Sequence, residues 1–206
     1  MLQRFETGTR PAQDRALAAM FEARKRVFVD LLGWNVPVVA GRYEIDQFDD
    51  DHARYLVLTT ATGDHLASAR LLPTTRPHIL GDLYPALCEG RVPQGDDVLE
   101  ITRFCLDRSL RAAERLQARN RLVSALVDDA LTTGTRLYTG VAEMGWLQQI
   151  LSFGWVCRPL GLPHLIDGKM IGALAIEISA DTPNLLARAG IYTASSAVNE
   201  ECRYAA

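Results

Sequence analysis

Charged side chains that stand among apolar neighbours are the first candidates for chemistry in this sequence. Six residues, three acids and three arginines, share this property: Arg24, Asp46, Asp49, Arg70, Glu100 and Arg103. Burying an unpaired charge is costly, so such a set is tolerated as a mutually neutralising network or around a charged ligand. Ordinary surface ion pairs, which contribute about 0 to 1 kcal/mol each, are the alternative explanation.

Two of these six residues pose a geometric question. The segment VLEITRFCLD, residues 98 to 107, has the apolar, β-branched composition of a buried strand, yet it contains Glu100 and Arg103. Side chains alternate between the two faces of an ideal strand, so these two charges would point in opposite directions. A regular strand here would bury one charge on each face.

An amphipathic helix is predicted to carry the first arginine. Apolar positions recur at steps of three and four after Pro11, a residue suited to the first turn of a helix, and the pattern ends at Gly33. The predicted stripe consists of Leu17, Phe21, Arg24, Phe28 and Leu31. An arginine in such a stripe either extends from its edge into solvent or belongs to a buried site.

The remaining chain mixes predicted strands and helices without regular alternation. ARYLVLTT and HLASARLLP, joined by ATGD, predict a hairpin, and a connection rich in Pro and Gly follows from Pro73 to Gly95. Next come a helix from Arg108 to about Thr133, a strand at TRLYTGVA, a short helix at MGWLQQILSFG and a late strand at MIGALAIEIS. The core face of the long helix is predicted to comprise Leu116, Val123, Leu126, Val127 and Ala130. No repeat or linker divides the chain, so residues 1–206 are predicted to form a single domain with a mobile tail after about residue 194.

The composition argues against several classes of function. A formal net charge of -3 gives no general attraction to nucleic acid or to an anionic membrane. The chain has no apolar run long enough for a membrane span and no paired cysteine spacing, which favours a cytoplasmic protein with free thiols. It also lacks a glycine-rich phosphate loop, a GxSxG motif and metal-ligand spacing among its histidines, so no metal site is predicted. The acidic run from Asp49 to Asp51 is expected to be mostly a solvated turn.

Eight positions taken together resemble those of acyl-homoserine-lactone synthases, the LuxI-type autoinducer synthases. They are Arg24, Phe28, Trp34, Asp46, Asp49, Arg70, Glu100 and Arg103. The segments ARKRVFVDLLGW, EIDQFDDDHARYLV, ASARLLPT and LEITRF are similar to motifs of that family, and the resemblance covers roughly residues 15 to 180. The joint pattern is specific, although an arginine followed four residues later by a phenylalanine is not.

The resemblance implies a fold and a reaction. The fold would be a GNAT-like three-layer α/β/α sandwich with a mixed, largely antiparallel sheet and a bulged or splayed central strand. One extra residue near Ile101 or Thr102 would then bring Glu100 and Arg103 to the same side. The reaction would transfer an acyl group from acyl carrier protein to the amine of S-adenosylmethionine, after which ring closure releases the lactone and methylthioadenosine. S-adenosylmethionine would be a substrate, and no cofactor is expected.

The implied reaction suggests roles for the charged residues. The substrate ammonium must lose a proton before it attacks a thioester, so Glu100 is the candidate base, with the anchoring of an arginine as its alternative role. Asp46 suits the substrate ammonium, and Arg103 or Arg24 suits the substrate carboxylate during ring closure. The predicted binding site also contains two bracing charges and three aromatic side chains: Asp49, Arg70, Phe28, Trp34 and Phe104.

The acyl donor is predicted from the segment after the central strand. CLDRSLRAAERLQARN contains no glycine and so lacks the [QR]xxGx[GA] pyrophosphate loop of CoA-dependent N-acetyltransferases, which favours a carrier protein over CoA. A basic helix stripe suits an acidic carrier, although a solvated helix face explains it almost as well. This stripe, the predicted carrier-docking surface, consists of Arg108, Arg111, Arg115 and Arg119.

The acyl-chain pocket is placed by the resemblance on the short helix and its flanks. Its predicted members, which core packing explains equally well, are Met144, Trp146, Leu147, Ile150 and Trp155. Gly140, Ala142 and Glu143 stand in the segment where the family often has a threonine associated with 3-oxo chains, so a 3-oxo preference is in doubt. The sequence predicts neither the acyl chain length nor the oligomeric state.

Two other functions stay open at the level of sequence. One is an ordinary N-acyltransferase that uses acyl-CoA and a different amine. The other is a binding module that keeps the fold and senses S-adenosylmethionine or an acyl ligand without catalysis. The intact set of acids and arginines argues against the binding module.

Overall fold

The structure is a computed structural model that describes residues 1–5 and 14–193. The part of the chain that carries the predicted site begins with an α-helix that continues into a π-helical turn. Helix α1 (Arg15–Arg24) starts at Asp14, whose carboxylate accepts hydrogen bonds from two backbone N–H groups of the first turn. It continues directly into a π-helical turn (Lys25–Val29), in which the N–H of Asp30 bonds to the carbonyl of Lys25. The predicted Pro11 start lies outside the described residues.

The apolar stripe of this helix is buried along most of its length. Leu17, Phe21, Arg24 and Phe28 are all buried, as the spacing predicts. The prediction for Leu31 was wrong, because its side chain is 53% exposed. The π-helical turn explains this difference: it inserts one residue relative to an α-helical turn, so positions beyond it no longer follow the 3.6-residue period.

The described residues separate into two units, which we call the first and second units. The first comprises residues 1–5, 14–70 and 103–125, and the second comprises residues 71–102 and 126–193. The prediction of a single domain stays a prediction. Among the described residues, none of the helices combines the length and apolar character needed to cross a bilayer.

The first unit contains one edge of a mixed sheet. Strand β1 (Leu2–Phe5) pairs antiparallel with β4 (Arg54–Thr59), and the order continues through β5 (His65–Pro73) to β6 (Val98–Leu106). Strands β4 and β5 confirm the predicted hairpin. Strands β2 (Val38–Val39) and β3 (Tyr43–Glu44) form a separate two-stranded sheet. The first half of α2 (Ala112–Thr133) also belongs to this unit.

The second unit contains the other strands of that sheet. Strand β6 pairs parallel with β7 (Leu137–Glu143) from Val98 to Ile101, and β7 pairs antiparallel with β10 (Lys169–Glu177). Strands β8 (Val156–Pro159) and β9 (His164–Ile166) both pair antiparallel with β10, and helix α4 (Thr182–Arg188) ends the described chain. Antiparallel pairs dominate, which confirms the predicted α/β class with a mixed, largely antiparallel sheet.

Both faces of the second unit's sheet are covered. On one face, Leu147 of helix α3 (Met144–Leu151) packs against Gly172 of β10, and the Tyr138 hydroxyl donates to the carbonyl of Leu126 in α2. On the other face, Leu80 and Leu87 pack with Ala173 of β10. These two leucines belong to short helical turns (Ile79–Leu83 and Pro85–Leu87) within the connection that the sequence predicted to be irregular.

Strand β6 carries an irregularity of the kind that the family resemblance implies. Arg103 adopts a left-handed backbone conformation with φ of 49°, which is unfavourable for a side chain of this size and breaks regular alternation. The N–H of Asp107 bonds to Leu66 and the N–H of Thr74 bonds to Val98, so β6 uses one residue more than β5 between the two bonds. An extra residue of this kind is a β-bulge, and it re-aims the side chains that follow it.

The long helix departs from its prediction at two points. It begins at Ala112 rather than at Arg108. Val123, Leu126, Val127 and Ala130 are buried as predicted, but Leu116 is 51% exposed, so its assignment to the core was wrong. The predicted mobile tail after residue 194 lies outside the described residues.

Candidate active site

A closed ring of alternating charges lies within the first unit. Arg24 donates through Nε to Glu44, and through Nη1 and Nη2 to the two carboxylate oxygens of Asp49 at 2.8 and 2.7 Å. Arg70 donates to Asp46 at 2.6 and 3.1 Å, and its Nη1 lies 2.8 Å from Asp49. Bidentate bonds of this type are the strong, geometrically specific form of ion pair.

Arg103 completes the ring. Its Nη2 donates to Glu44 at 3.0 Å and to Asp46 at 2.6 Å, and its Nε also faces Glu44. Each carboxylate therefore bridges two arginines, and each arginine bridges two carboxylates. We call this arrangement the charged ring, in the order Arg24, Glu44, Arg103, Asp46, Arg70 and Asp49.

The charged ring is withdrawn from solvent. The side chains of Arg24, Glu44, Arg70 and Asp49 are at most 1% exposed, and that of Arg103 is 8% exposed. Charges at this depth carry a large desolvation cost, which only their mutual pairing and hydrogen bonds offset. Five of the six predicted charges, all except Glu100, form this mutually neutralising network, and its third carboxylate is Glu44, which was not predicted.

The electrostatics of the ring keep its groups ionised. Burial alone would raise the pKa of Asp49, but Arg24 and Arg70 outweigh burial and hold that pKa below its usual range. Burial alone would lower the pKa of Arg24, and Asp49 and Glu44 reverse this effect and raise it. Burial and the nearby Asp49 carboxylate raise the pKa of the Tyr55 phenol, so Tyr55 stays protonated and donates to Asp49 at 2.9 Å.

The backbone around the ring acids is fixed by the acids themselves. Asp49 accepts a hydrogen bond from the N–H of Asp46 at 2.8 Å, and Asp46 accepts one from the N–H of Phe48 at 2.9 Å. These bonds fold residues 46–49 into a turn, as short acidic side chains often do. The adjacent residues Asp50 and Asp51 are exposed, which confirms that most of the acidic run is a solvated turn, whereas the side chain of Asp49 is buried in the ring.

Two aromatic rings lie against the charged ring. Phe28 and Trp34 stack with centroids 4.7 Å apart and planes inclined by 20°. The guanidinium carbon of Arg103 lies 5.6 Å from each of the two ring centroids. The same cluster contains buried Ala23, Val27 and Cys105. The structure thus brings the predicted aromatic pair to one of the predicted arginines.

Glu100 lies in the second unit. Its side chain is fully buried and accepts a hydrogen bond at 3.0 Å from the N–H of Leu80. It stands opposite Thr139 in the parallel pairing of β6 and β7. Phe104, four residues further along β6, is partly buried in the first unit. The catalytic role of Glu100 and the substrate contact of Phe104 stay predictions.

The predicted acyl-pocket residues all lie in the second unit. Leu147 is buried against Gly172, and a Cβ added to that glycine would lie 2.8 Å from the Leu147 methyl group. The indole N–H of Trp155 donates to the carbonyl of Ile150 at 2.9 Å, and Trp146 packs edge-on against Phe153. Met144 is partly buried at the start of α3. These contacts suit either a core or a pocket wall, so the pocket stays a prediction.

The predicted docking stripe begins in the turn before α2 and continues onto the helix. Arg108 and Arg111 are exposed, whereas Arg115 and Arg119 are partly buried. Arg115 donates to the carbonyl of Asp107 at 3.2 Å, and Arg119 donates to the Asn120 side chain. Glu114 accepts a hydrogen bond from the N–H of Arg111, which caps the start of the helix. Half of the stripe is therefore open to solvent.

Sequence reasoning missed two members of the site, Glu44 and Tyr55. A signal for Glu44 existed, because Glu44 and Asp46 are two residues apart in an extended segment and so share a face. No comparable signal marks Tyr55, whose aromatic ring is ordinary in a strand. In the described part of the chain, no group of three or more His, Cys, Asp or Glu side chains is arranged to hold a metal ion.

Known proteins resemble this chain over most of its length. The family described as autoinducer synthase matches residues 10–187. The acyl-homoserine-lactone synthase of Ralstonia nicotianae is 34% identical over 170 residues, which cover 80% of this chain and 83% of that protein.

Solved structures of two relatives share the fold. TofI, in a ternary complex with an inhibitor and MTA, superposes with a TM-score of 0.76 at 32% identity over 90% of this chain and 96% of that one. The CoA-dependent acyl-homoserine lactone synthase BjaI, with SAM and isopentyl-CoA, superposes with a TM-score of 0.81 at 26% identity over 94% and 90% of the two chains. These similarities confirm the predicted GNAT-like fold.

Proposed function

This chain belongs to the autoinducer synthase family and is an acyl-homoserine-lactone synthase, an acyltransferase, and from that premise we propose how its residues divide the reaction. S-adenosylmethionine is the proposed acyl acceptor. The observation that carries this proposal is the charged ring beside the stacked Phe28 and Trp34. Fixed carboxylates and arginines suit a zwitterion, and aromatic faces suit a sulfonium cation and an adenine base.

Arg103 is the arginine best placed to hold the substrate carboxylate. Arg24 already donates through all three of its nitrogen atoms within the charged ring, and its side chain is 1% exposed. Arg103 is more exposed, and its guanidinium carbon lies 5.6 Å from the centroid of each of the two aromatic rings. We assign the substrate ammonium to Asp46, and the bracing of the ring to Asp49 and Arg70.

Glu100 is the proposed base of the acyl-transfer step. The ammonium of S-adenosylmethionine gives one proton to Glu100, and the exposed lone pair attacks the thioester carbonyl. The carbon–sulfur bond of the thioester then breaks, and the leaving carrier thiolate takes up the second proton that the nitrogen releases. The bond from the Leu80 N–H holds one carboxylate oxygen of Glu100 in place. The alternative role, orienting other groups without accepting the proton, predicts a smaller effect on turnover.

Lactone closure follows as an intramolecular displacement. The substrate carboxylate attacks the carbon attached to the sulfonium, the carbon–sulfur bond breaks, and methylthioadenosine leaves with the electron pair. An intramolecular reaction of this type depends chiefly on holding its two ends close together. The arginine that orients the carboxylate therefore governs this second step.

Acyl carrier protein is the proposed donor, and acyl-CoA is the second candidate. The exposed Arg108 and Arg111 suit an acidic carrier, and the turn before α2 lacks the glycines of a pyrophosphate loop. The similarity to BjaI, whose structure holds isopentyl-CoA, supports the second candidate. The two donors differ in what they contact, because CoA brings a nucleotide and the carrier brings a protein surface.

One assay tests the function and the donor together. The purified chain is incubated with S-adenosylmethionine and matched panels of acyl carrier proteins and acyl-CoAs, and methylthioadenosine and lactone are measured by mass spectrometry. We expect both products in equal amounts, with higher kcat/KM for carrier donors. Failure to form methylthioadenosine with any donor contradicts the function, and lactone from acyl-CoA alone contradicts only the donor.

Charge reversal on the stripe sharpens the choice of donor. Arg111→Glu with Arg115→Glu is expected to lower kcat/KM for the carrier donor, more strongly at low salt, because the interaction is screened over about 10 Å at 0.1 M ionic strength. Arg136→Glu, an exposed arginine paired with Asp97 outside the stripe, is the control. Equal carrier kinetics in all three proteins would mean that the stripe is only a solvated helix face.

A further inference from the structure

Asp107 occupies the junction between strand β6 and helix α2, and several bonds converge on its carboxylate. The N–H and hydroxyl of Ser109 donate to one carboxylate oxygen at 2.9 and 2.7 Å, and Arg26 Nη2 donates to the other at 2.8 Å. Asp107 is only 7% exposed. A carboxylate with this many donors fixes both the turn that follows it and the arginine that reaches it.

The main chain of Asp107 is held as firmly as its side chain. Its N–H donates to the carbonyl of Leu66 on β5 at 3.0 Å. Its carbonyl accepts a hydrogen bond at 3.2 Å from Arg115, a member of the predicted docking stripe. Asp107 thus connects β5, the start of α2 and a docking arginine.

Arg26 connects the same residue to the charged ring. It belongs to the π-helical turn (Lys25–Val29), which also carries Phe28, and it follows Arg24 by two residues. The side chain of Arg26 is 41% exposed, and its Nη2 lies 2.8 Å from the Asp107 carboxylate. The ion pair with Asp107 is a direct link between the turn before α2 and the segment that presents Phe28.

A neighbouring histidine, His65, does not form a hydrogen bond with the Asp107 carboxylate. His65 is buried, its Nε2 lies 2.9 Å from the Ser68 hydroxyl, and its Nδ1 lies 3.8 Å from the Asp107 carboxylate, which is too long for a hydrogen bond. Burial lowers the pKa of His65, so its ring is uncharged at neutral pH. Among the described residues, Arg26 is the cation that donates a hydrogen bond to the Asp107 carboxylate.

We propose that Asp107 is a positioning residue that, through Arg26 and Arg115, couples binding of the acyl carrier to binding of S-adenosylmethionine. This inference rests on the proposed function. S-adenosylmethionine bound against Phe28 acts on the π-helical turn, and the ion pair of Arg26 with Asp107 transmits this effect to the turn before α2. The carrier acts on the same residue from α2, through the hydrogen bond of Arg115 to the Asp107 carbonyl, so the binding of each substrate changes the affinity for the other.

The test measures the coupling itself. The dissociation constant of S-adenosylmethionine is determined by calorimetry with and without a saturating carrier protein whose arm ends in an unreactive alkyl thioether. In the unmodified chain, we expect the carrier to tighten this binding at least about fivefold, the lower end of typical coupling. We call the dissociation constant without carrier divided by that with carrier the coupling ratio. In Asp107→Asn and Arg26→Gln, this ratio is expected to fall close to one.

Matched variants separate coupling from general loss of structure. Arg26→Lys keeps a cation within reach of Asp107 and is expected to restore most of the coupling. Arg42→Gln removes an exposed arginine that pairs with Glu22, an acid that also faces Arg26, and it is expected to leave the ratio unchanged. Because Arg26 is partly exposed, its variants remain informative even if Asp107→Asn fails to fold.

The outcomes distinguish this inference from the proposed function. Lactone formed from the carrier, together with an equal ratio in the unmodified chain and in Arg26→Gln, overturns the coupling and leaves the function intact. A ratio of one in the unmodified chain does the same. If the unmodified chain forms no lactone from the carrier, the proposed donor fails, and this inference fails with it.

Discussion

The charged ring of the first unit and the packing around α3 in the second unit fix their side chains by different means. In the ring, directional bonds of 2.5 to 3.2 Å set the position of every group. Around α3, contacts such as Leu147 against Gly172 have no preferred direction and depend on volume. A substrate that meets the ring is recognised by charge and orientation, whereas an acyl chain against α3 would be recognised by length and shape.

The two regions also respond differently to change. A ring of alternating charges contains no member that can be removed without leaving two opposite charges underneutralised in a buried place. An apolar cluster tolerates substitutions that conserve its volume and loses stability when atoms are removed or added. The following predictions test this contrast, from the largest expected effect to the smallest.

Opening the ring should produce the largest loss. Glu44→Gln keeps the size of the side chain but removes the charge that Arg24 and Arg103 share. Breaking a buried ion pair in this way costs about 3 to 5 kcal/mol, and we expect a loss of that size in the free energy of unfolding measured with urea. Asp51→Asn, at an exposed acid in the same segment, is the control. A loss for Glu44→Gln below about 1 kcal/mol would mean that the ion pairs of the ring contribute no more to stability than ordinary surface pairs.

Glu100→Gln tests the polar group of the second unit. The amide oxygen of glutamine can still accept the bond from the Leu80 N–H, so the fold should be retained. Loss of a general base lowers turnover by roughly a hundredfold or more, and we expect kcat for lactone formation to fall by that factor. Circular dichroism and urea unfolding check that the fold is kept. Unchanged turnover would show that Glu100 has a structural role and is not the base.

Gly172→Ala tests the volume dependence of the α3 region. The added methyl group would lie 2.8 Å from a methyl carbon of Leu147, so that side chain must move. Overpacking of this kind costs about 1 to 3 kcal/mol in stability, and if α3 lines the acyl pocket, the longest accepted acyl chain should become shorter. Gly145→Ala, in helix α3 with open space around the added carbon, is the control and should stabilise by no more than about 1 kcal/mol. The same acyl-chain preference in both variants would show that α3 does not line the acyl pocket.

The smallest predicted effect concerns pH. Burial lowers the pKa of folded His65 below the usual value of 6.5, so the unfolded chain takes up this proton first as the pH falls. The free energy of unfolding should therefore decrease from pH 6.5 downwards, through the lower pKa of the folded state, by about 1.4 kcal/mol for each unit of difference between the two values.

Substitution isolates this contribution. The decrease between pH 7.5 and pH 5 should be shallower in His65→Gln than in the unmodified chain, as measured by urea unfolding at several pH values. His52→Gln replaces an exposed histidine and should leave the slope unchanged. An identical slope in all three proteins would show that His65 does not contribute to the pH dependence.

The same contrast explains how much of the molecule can be predicted from the sequence. Charges inside apolar segments are anomalies, so the types and positions of Arg24, Arg70 and Arg103 suffice to mark them as site residues. Glu44 is harder to recognise, because a two-residue strand gives too short a pattern to reveal its buried face. Around α3, leucine and tryptophan are expected in any core, so composition cannot distinguish a pocket wall from packing.

Elements were predicted well where a period extends over many residues. The β4–β5 hairpin, most of α2 and strand β10 follow their patterns. The short strands β1, β8 and β9 and helix α4 were missed, because a few residues cannot establish a period. Leu31 and Leu116 were placed wrongly, since a stripe extrapolated past a π-helical turn, or to the end of a helix, no longer indicates burial.

The π-helical turn also limits which deletions this segment tolerates and how it can be grafted into another protein. It contains one residue more than an α-helical turn of the same height, and an α-helix rotates by about 100° for each residue. Deleting a single residue between Lys25 and Val29 would therefore swing Phe28 a quarter of the way around the axis while leaving the composition almost unchanged. In alignments and chimaeras that include this segment, its number of residues therefore matters more than the identity of each residue.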